Sequence, residues 1–260
     1  MSETGYDSGY DGGEGRQSSR RRRRPRRSNR NLLIIGGAAL AVIVVVVAVA
    51  LVALGGGDGK KSEAAAAARV SPKVYVNTPA NSLVNKLNER SKDKRPLNKS
   101  EVFGDDAKSV KHGAYNFTLV GSDLTDCASV TWGQELQNDL RKYGCTQVAR
   151  GAYVTQDKKY LGQFIAMNLE RLQGAEQVVR DLDPASSAGF VSPLTAAGTE
   201  NFGSGFSAAY SQSFGHYVVI SWVERAGGAQ PQTMNELLDA SIAIERADDF
   251  VWERLVLVGG

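Results

Sequence analysis

Few residues in this chain are of a type that does chemistry. Among 260 residues there are two histidines, His112 and His216, and two cysteines, Cys127 and Cys145. His216 opens the strand-like run "HYVVISWVE". A general-base role for it needs a nucleophile such as Ser211 or Ser213 and an orienting acid, a geometry that neighbours on one strand seldom give. His216 therefore reads as a polar strand-end residue, and His112, before Gly113, as a turn residue. "GSGFSAA" lacks the closing glycine of a nucleophile elbow. "LGGGDGKKS" has Leu54 where a phosphate loop needs its first glycine, and no strand precedes it. There is no HExxH motif. Asp123 with Asp126, and Asp248 with Asp249, are carboxylate pairs able in principle to hold a cation, but helix capping explains such pairs better. Two cysteines without grouped histidines are too few for zinc, and their spacing is not CxxC. The expectation is no catalytic residue, no metal and no cofactor.

What remains is a surface. The aromatics Tyr210, Phe214, Tyr217 and Trp222 gather around one hairpin. Strand alternation sends half of them inward as core. The candidate binding surface is Tyr210, Phe214, His216 and Tyr217, joined by Phe190 and Phe202 from the long irregular stretch 183–204. Stretches of that length without regular structure are usually functional or disordered.

The charge is segregated. Residues 1–30 hold nine arginines, among them Arg20, Arg21, Arg22, Arg23, Arg24, Arg26, Arg27 and Arg30, against four acidic residues. Residues 31–54 hold no charge, and the remainder holds 22 basic and 24 acidic residues. A nucleic-acid-binding domain carries its basic stripe on the folded part; here the excess sits in the tail, so nucleic acid is not an expected partner. "LLIIGGAALAVIVVVVAVALVAL", residues 32–54, is 23 residues of apolar chain. As a helix it reaches about 35 Å, enough to cross a bilayer core of about 30 Å. A cleaved signal peptide has a shorter apolar region, and this one is long and valine-rich. The arginines on one flank place the N-terminus in the cytoplasm and residues 55–260 outside. The Arg20–Arg30 run then serves as a topology signal that also meets anionic lipid, at about 1 kcal/mol per arginine near the surface.

Four regions follow: a disordered Arg-rich tail (1–31), a transmembrane helix (32–54), a linker with a short helix near 79–91 (55–96), and an extracytoplasmic domain (97–260). "GAYNFTLV" alternates as a strand, and "GQELQNDLRKYG" reads as a helix stopped by Gly144. "TQVARGAYV" and "YLGQFIAMN" form a hairpin turning at Gln156–Lys158. Asn168 is placed to cap a helix carrying Leu172, Ala175, Val179 and Leu182. A second hairpin turns at Phe214–Gly215, a helix runs to about Arg246, and "DDFVWERLVLV" suits helix or strand. The expected fold is α+β, an antiparallel sheet with helices on one face. Its core is a ferredoxin-like βαββαβ unit with an extra strand and helix. The alternative is a Mog1/PsbP-like α-β-α sandwich.

In an extracytoplasmic domain two cysteines read as one structural disulfide. Bridged Cα atoms lie within about 7 Å, whereas a straight helix over 128–144 spans about 25 Å. The pairing therefore requires a turn at 126–132 and a break at Gly133, followed by a helix to Tyr143.

"EVFGDD", "DLTDCASVTWGQELQNDLRKYGCTQVARGAYV" and "HYVVISWVERAGG" together resemble a group of actinobacterial single-pass membrane proteins of unknown function. These pair a Gly-, Tyr- and Arg-rich cytoplasmic tail with one extracytoplasmic domain. More distantly, the chain is similar to the outer sensor domains of actinobacterial receptor kinases. The resemblance spans roughly 97–226, and the DC…W…L…GC spacing is its most specific part. It implies an envelope location and the Cys127–Cys145 disulfide, but no activity. The functional expectation is a binding or sensor-like domain for an envelope ligand or protein. The alternatives are an envelope hydrolase or transferase with an unrecognised site, and a structural partner in a membrane complex. The residues do not specify an oligomeric state.

Alkaline phosphatase fused after Gly260 is expected to be active in whole cells, since it folds only outside the cytoplasm. An inactive fusion, with a fluorescent cytoplasmic reporter at the same position, contradicts the orientation.

Overall fold

The computed structural model describes residues 69–80, 82–233 and 235–259. The Arg20–Arg30 run, the apolar stretch 32–54 and the linker as far as 68 lie outside the described residues. Among the described residues no helix is long and apolar enough to cross a membrane.

The strands are β1 Val74–Thr78, β2 Ser109–His112, β3 Tyr115–Thr125, β4 Thr131–Trp132, β5 Gln147–Thr155, β6 Tyr160–Asn168, β7 Phe190–Val191, β8 Ser207–Phe214 and β9 Tyr217–Arg225. The α-helices are α1 Lys99–Val102, α2 Asp105–Lys108, α3 Gln134–Lys142, α4 Leu172–Asp181, α5 Glu236–Glu245 and α6 Asp249–Gly259. Seven strands form one sheet in the order β1-β8-β9-β6-β5-β3-β2. Every neighbouring pair is antiparallel except β1 with β8. β4 and β7 form a separate two-stranded ladder.

The fold is α+β with a largely antiparallel sheet, but the helices lie on both faces. Leu136 and Leu140 of α3 and Ala175, Val178 and Val179 of α4 pack with Val148, Ile165, Met167 and Ile220 on one face. Leu237, Ala240 and Ile244 of α5 and Phe250 and Val251 of α6 pack with Phe117, Tyr153, Phe164 and Val219 on the other. The layering is thus α-β-α. Ferredoxin-like order is not what forms, because it would place two parallel strands side by side at the centre. Here β3 and β5 are antiparallel neighbours, with Thr125 opposite Val148. The segment between them does not cross the sheet; it leaves and returns at one end.

The disulfide closes that detour. Cys127 and Cys145 are bonded with Cα atoms 6.2 Å apart, two residues beyond Thr125 and two before Gln147. The chain reverses as the pairing requires: a 3₁₀ turn at Ala128–Val130, β4, then Gly133 at φ 96° ahead of α3. A Cβ on Gly133 would sit 2.1 Å from the Ala188 carbonyl oxygen. Glycine is needed there for its positive φ and for the approach of the 183–204 loop.

Two boundary expectations are corrected. Residues 70–96 are part of the fold rather than a linker: β1 joins the sheet, and the helix near 79–91 is a 3₁₀ segment, Ser82–Leu87, with Val84 and Leu87 fully buried. This stretch is polar because its backbone holds it. Leu87 O accepts from His216 N at 2.8 Å, Asn88 O from Leu172 N at 2.8 Å, and Arg90 N donates to Glu170 O at 2.9 Å. Asn168 ends β6 instead of capping a helix, and α4 starts only after Arg171.

α6 is fixed by a buried guanidinium. Arg254, with no exposed surface, donates to Glu101 through Nε (2.9 Å) and Nη2 (2.5 Å). It donates to Asp93 Oδ2 (3.1 Å) and the Tyr217 hydroxyl (2.6 Å), and to the carbonyls of Arg95 and Pro96 (both 2.8 Å). Tyr217 in turn donates to Asp93 at 2.9 Å. Arg254→Ala removes the buried cation and leaves Asp93 only the half-exposed Arg95, 3.3 Å away, a change expected to cost about 3 kcal/mol. Urea unfolding of the full chain in mild detergent measures this; a loss of about 1 kcal/mol or less would rank the pair with surface bridges.

Candidate functional site

The expected binding surface is not a surface. Phe190 and Phe202 pack edge-to-face on Trp222, at 5.0 and 4.9 Å between centroids, inside the α3–α4 layer. Tyr217 is fully buried beside Arg254. His216 is buried too, its ring against Tyr217 at 3.9 Å and its Nδ1 2.6 Å from the Leu87 carbonyl oxygen. Ser211, offered as a nucleophile, shares a 2.6 Å hydrogen bond with Tyr75, whose hydroxyl donates to the Val179 carbonyl. The expectation that half of the hairpin's aromatics face outward fails because both faces of the sheet are covered. The 183–204 loop lies down as well, pairing β7 with β4 and burying Val191 and Thr199.

Of the six, Tyr210 and Phe214 line an opening on the α5 side. A groove runs along β8 under α5 and ends at α6. Its inner part, ≈ 110 Å³, is lined by Thr78, Tyr210, Ser221, Leu238 and Ser241 among others. Its outer part, ≈ 360 Å³, is lined by Arg246, Asp248, Asp249 and Trp252. Gln212, Phe214, Ile242 and Glu245 line both. Phe214 and Trp252 meet edge-to-face at 6.0 Å. Leu238 stands at the rim, 39% exposed.

The electrostatics of this groove are unusual. Asp248 is 7% exposed, and its carboxyl has no hydrogen bond or ion pair among the described residues. Burial, reinforced by the charges of Glu245 and Asp249, pushes its pKa up to about 7, against a smaller opposite pull from Arg246. Glu245, one turn earlier, is raised by burial. It too has no hydrogen bond or ion pair among the described residues. Neither carboxyl is sealed off: the oxygens of both keep contact with solvent in the open cleft, and Glu245 is half-buried. Carboxyls perturbed in this way gather at functional sites. The Asp248–Asp249 pair was expected to serve as caps, and Asp248 does not. The other pair is employed: Asp123 accepts from Arg150, and Asp126 accepts from Ser129 N at 3.0 Å. Among the described residues no group of three or more His, Cys, Asp or Glu is placed to hold a metal ion.

Two further carboxyls are raised away from the groove. Glu224 is pushed up to about 7 by burial, although Gly203 N donates to it at 2.8 Å. Asp181 is raised to about 6 by burial, opposed by its bond from Gln177 and helped by nearby Asp139.

Glu245, Trp252 and Leu238 were not candidates in the sequence reading, and Asp248 was weighed only with Asp249 as a cation-holding pair and set aside in favour of capping. "ERADDFVW" held the signal, a carboxylate-rich junction beside a tryptophan, but its meaning depends on which side of the helix pair is left uncovered. Comparison with known protein-family models, curated proteins and solved structures finds no match to this chain.

Burial lowers the His216 pKa to about 4, with the Leu87 carbonyl pulling weakly the other way. The unfolded chain protonates near the ordinary value of 6.5, so the native state is short of a proton between the two. Its contribution is therefore full above about 6.5 and shrinks as the pH falls towards about 4. NMR of the ring carbons is expected to show His216 neutral down to that point; titration near 6.5 would mean an accessible imidazole.

Proposed function

We propose that residues 69–259 form the extracytoplasmic binding domain of a single-pass membrane protein, and that the groove between β8, α5 and α6 is its recognition site. The observation that carries the binding reading is the pair of unpartnered carboxyls, Asp248 and Glu245, opening onto a cleft walled by Phe214 and Trp252. Folding alone gains nothing from leaving them unpaired. The location rests on three supports: the uncharged stretch 32–54, the arginines confined to its N-terminal flank, and the Cys127–Cys145 disulfide. Such bonds persist in oxidising compartments. In this reading Arg20–Arg30 meet the anionic inner leaflet, and the domain meets a ligand or protein of the envelope.

His216 and Ser211, the one acid–base arrangement that the sequence offered, are engaged elsewhere, with Leu87 and Tyr75. The groove offers carboxyls, an amide, hydroxyls and aromatic rings, which recognise a ligand by charge and shape.

A photo-crosslinking amino acid at Leu238 of the full chain in intact cells is expected to give a discrete adduct. The same group at Lys111, exposed at the far sheet edge, is expected to give none. No adduct at Leu238, or equal capture at both positions, contradicts the assignment.

A further inference from the structure

The groove specifies a charge type as well as a place. Glu245 and Asp248 are one helical turn apart, so both carboxyls reach the same end of the cleft. Phe214 and Trp252 line the same part of the cleft, and aromatic ring faces carry partial negative charge. Gln212 donates its amide N–H to the Pro79 carbonyl at 2.7 Å, which leaves its amide oxygen as an acceptor. The groups presented are therefore mostly acceptors and π faces.

Building on the groove as recognition site, we infer that it takes an organic cation on an alkyl stem, an ammonium or guanidinium held by Glu245 and Asp248, with the stem along Phe214 and Trp252. Each carboxyl gains the partner it lacks, and a charge-assisted hydrogen bond is the strong kind. The aromatic wall adds a cation–π attraction and covers the methylenes. A hard metal ion suits the site poorly. Calcium takes six or more oxygens, whereas two indispensable walls here are rings. An anion or a neutral apolar ligand would leave both carboxyls unpaired.

The groups sharing the cleft with Asp248 are Glu245 on α5, Arg246 and Asp249 at the α5–α6 junction, and the uncharged Gln212 and Phe214 on β8. The junction also packs against α2, which carries Asp105, Asp106 and Lys108, and against β2 with Lys111 and His112. Arg246 is exposed and makes no ion pair with Asp248, so it leaves the carboxyl open to a ligand. Because Asp248 ionises only at about 7, a cation that needs it ionised must displace a proton at lower pH. Binding therefore strengthens as the pH rises through that value. The same chemistry comes from a free diamine or from lysine side chains of a partner polypeptide.

The test uses the full chain in mild detergent, labelled with 5-fluorotryptophan and followed by ¹⁹F NMR. Its three tryptophans give three signals, and Trp252→Phe assigns the one in the groove. Cadaverine, agmatine or tetralysine is expected to shift the Trp252 signal saturably while leaving Trp132 and Trp222 in place. Response to tetralysine alone names a polypeptide as the source, and response to the small amines names a free cation; either supports the inference. Asp248→Asn and Glu245→Gln should each weaken binding on the order of tenfold. The unmoved Trp132 and Trp222 signals report that these variants are folded. An equal response to pentanol or calcium, or undiminished binding in both variants, overturns the inference. So does a still Trp252 signal with all three cations: if the Leu238 crosslink persists, only the ligand class falls, and if it is lost too, the groove falls with it.

Discussion

Arg254 holds one of the two helical layers in place. Its guanidinium sits at the meeting point of three parts of the chain distant in sequence: the 93–101 segment, Tyr217 on β9, and α6 itself. A charge this deeply buried is tolerated only when its hydrogen bonds are satisfied, and here both carboxylates, a hydroxyl and two carbonyls do so. With α6 fixed, α5 is fixed at its end, since only Arg246–Asp248 lie between them. The two helices then cover the sheet as far as β8 and no further. The groove is the gap that this anchoring leaves.

Coverage of both faces also explains what could be read from the chain and what could not. The two hairpins were legible because their turns sit between apolar runs: Gln156–Lys158 between β5 and β6, and Gly215, at φ 61°, between β8 and β9. The reversal at Gly133 was legible because the two cysteines admit no straight helix between them. Which aromatics stay exposed was not legible. "HYVVISWVE" has apolar residues at both parities, the mark of a strand buried on both sides, yet an alternating hairpin assigns half of it to solvent. The first strand was missed for a related reason. Segment 70–96 has few apolar side chains, and its backbone hydrogen bonds to Leu87, Asn88 and Arg90 depend on partners more than fifty residues away.

The site differs from the core in how it treats charge. Inside the fold, the buried arginines find partners: Arg254 finds Asp93 and Glu101, and Arg150 finds Asp123 and the Ser192 carbonyl. Asp248 and Glu245 do not, although Arg246 is close in sequence. In the proposed reading, unpaired carboxyls in a cleft with an aromatic wall make a receptor for a cation, with Trp252 at the groove mouth. A domain stabilised by one disulfide and one buried arginine is a rigid support on which to place it.

The central claim is that this groove is open to the outside of the cell. Leu238→Cys at its rim, treated on intact cells with a membrane-impermeant maleimide, tests that claim most directly. The account predicts labelling of whole cells, slowed by added cadaverine. Labelling only after lysis would place the domain in the cytoplasm. Labelling at a rate that cadaverine leaves unchanged would separate the groove from any cation.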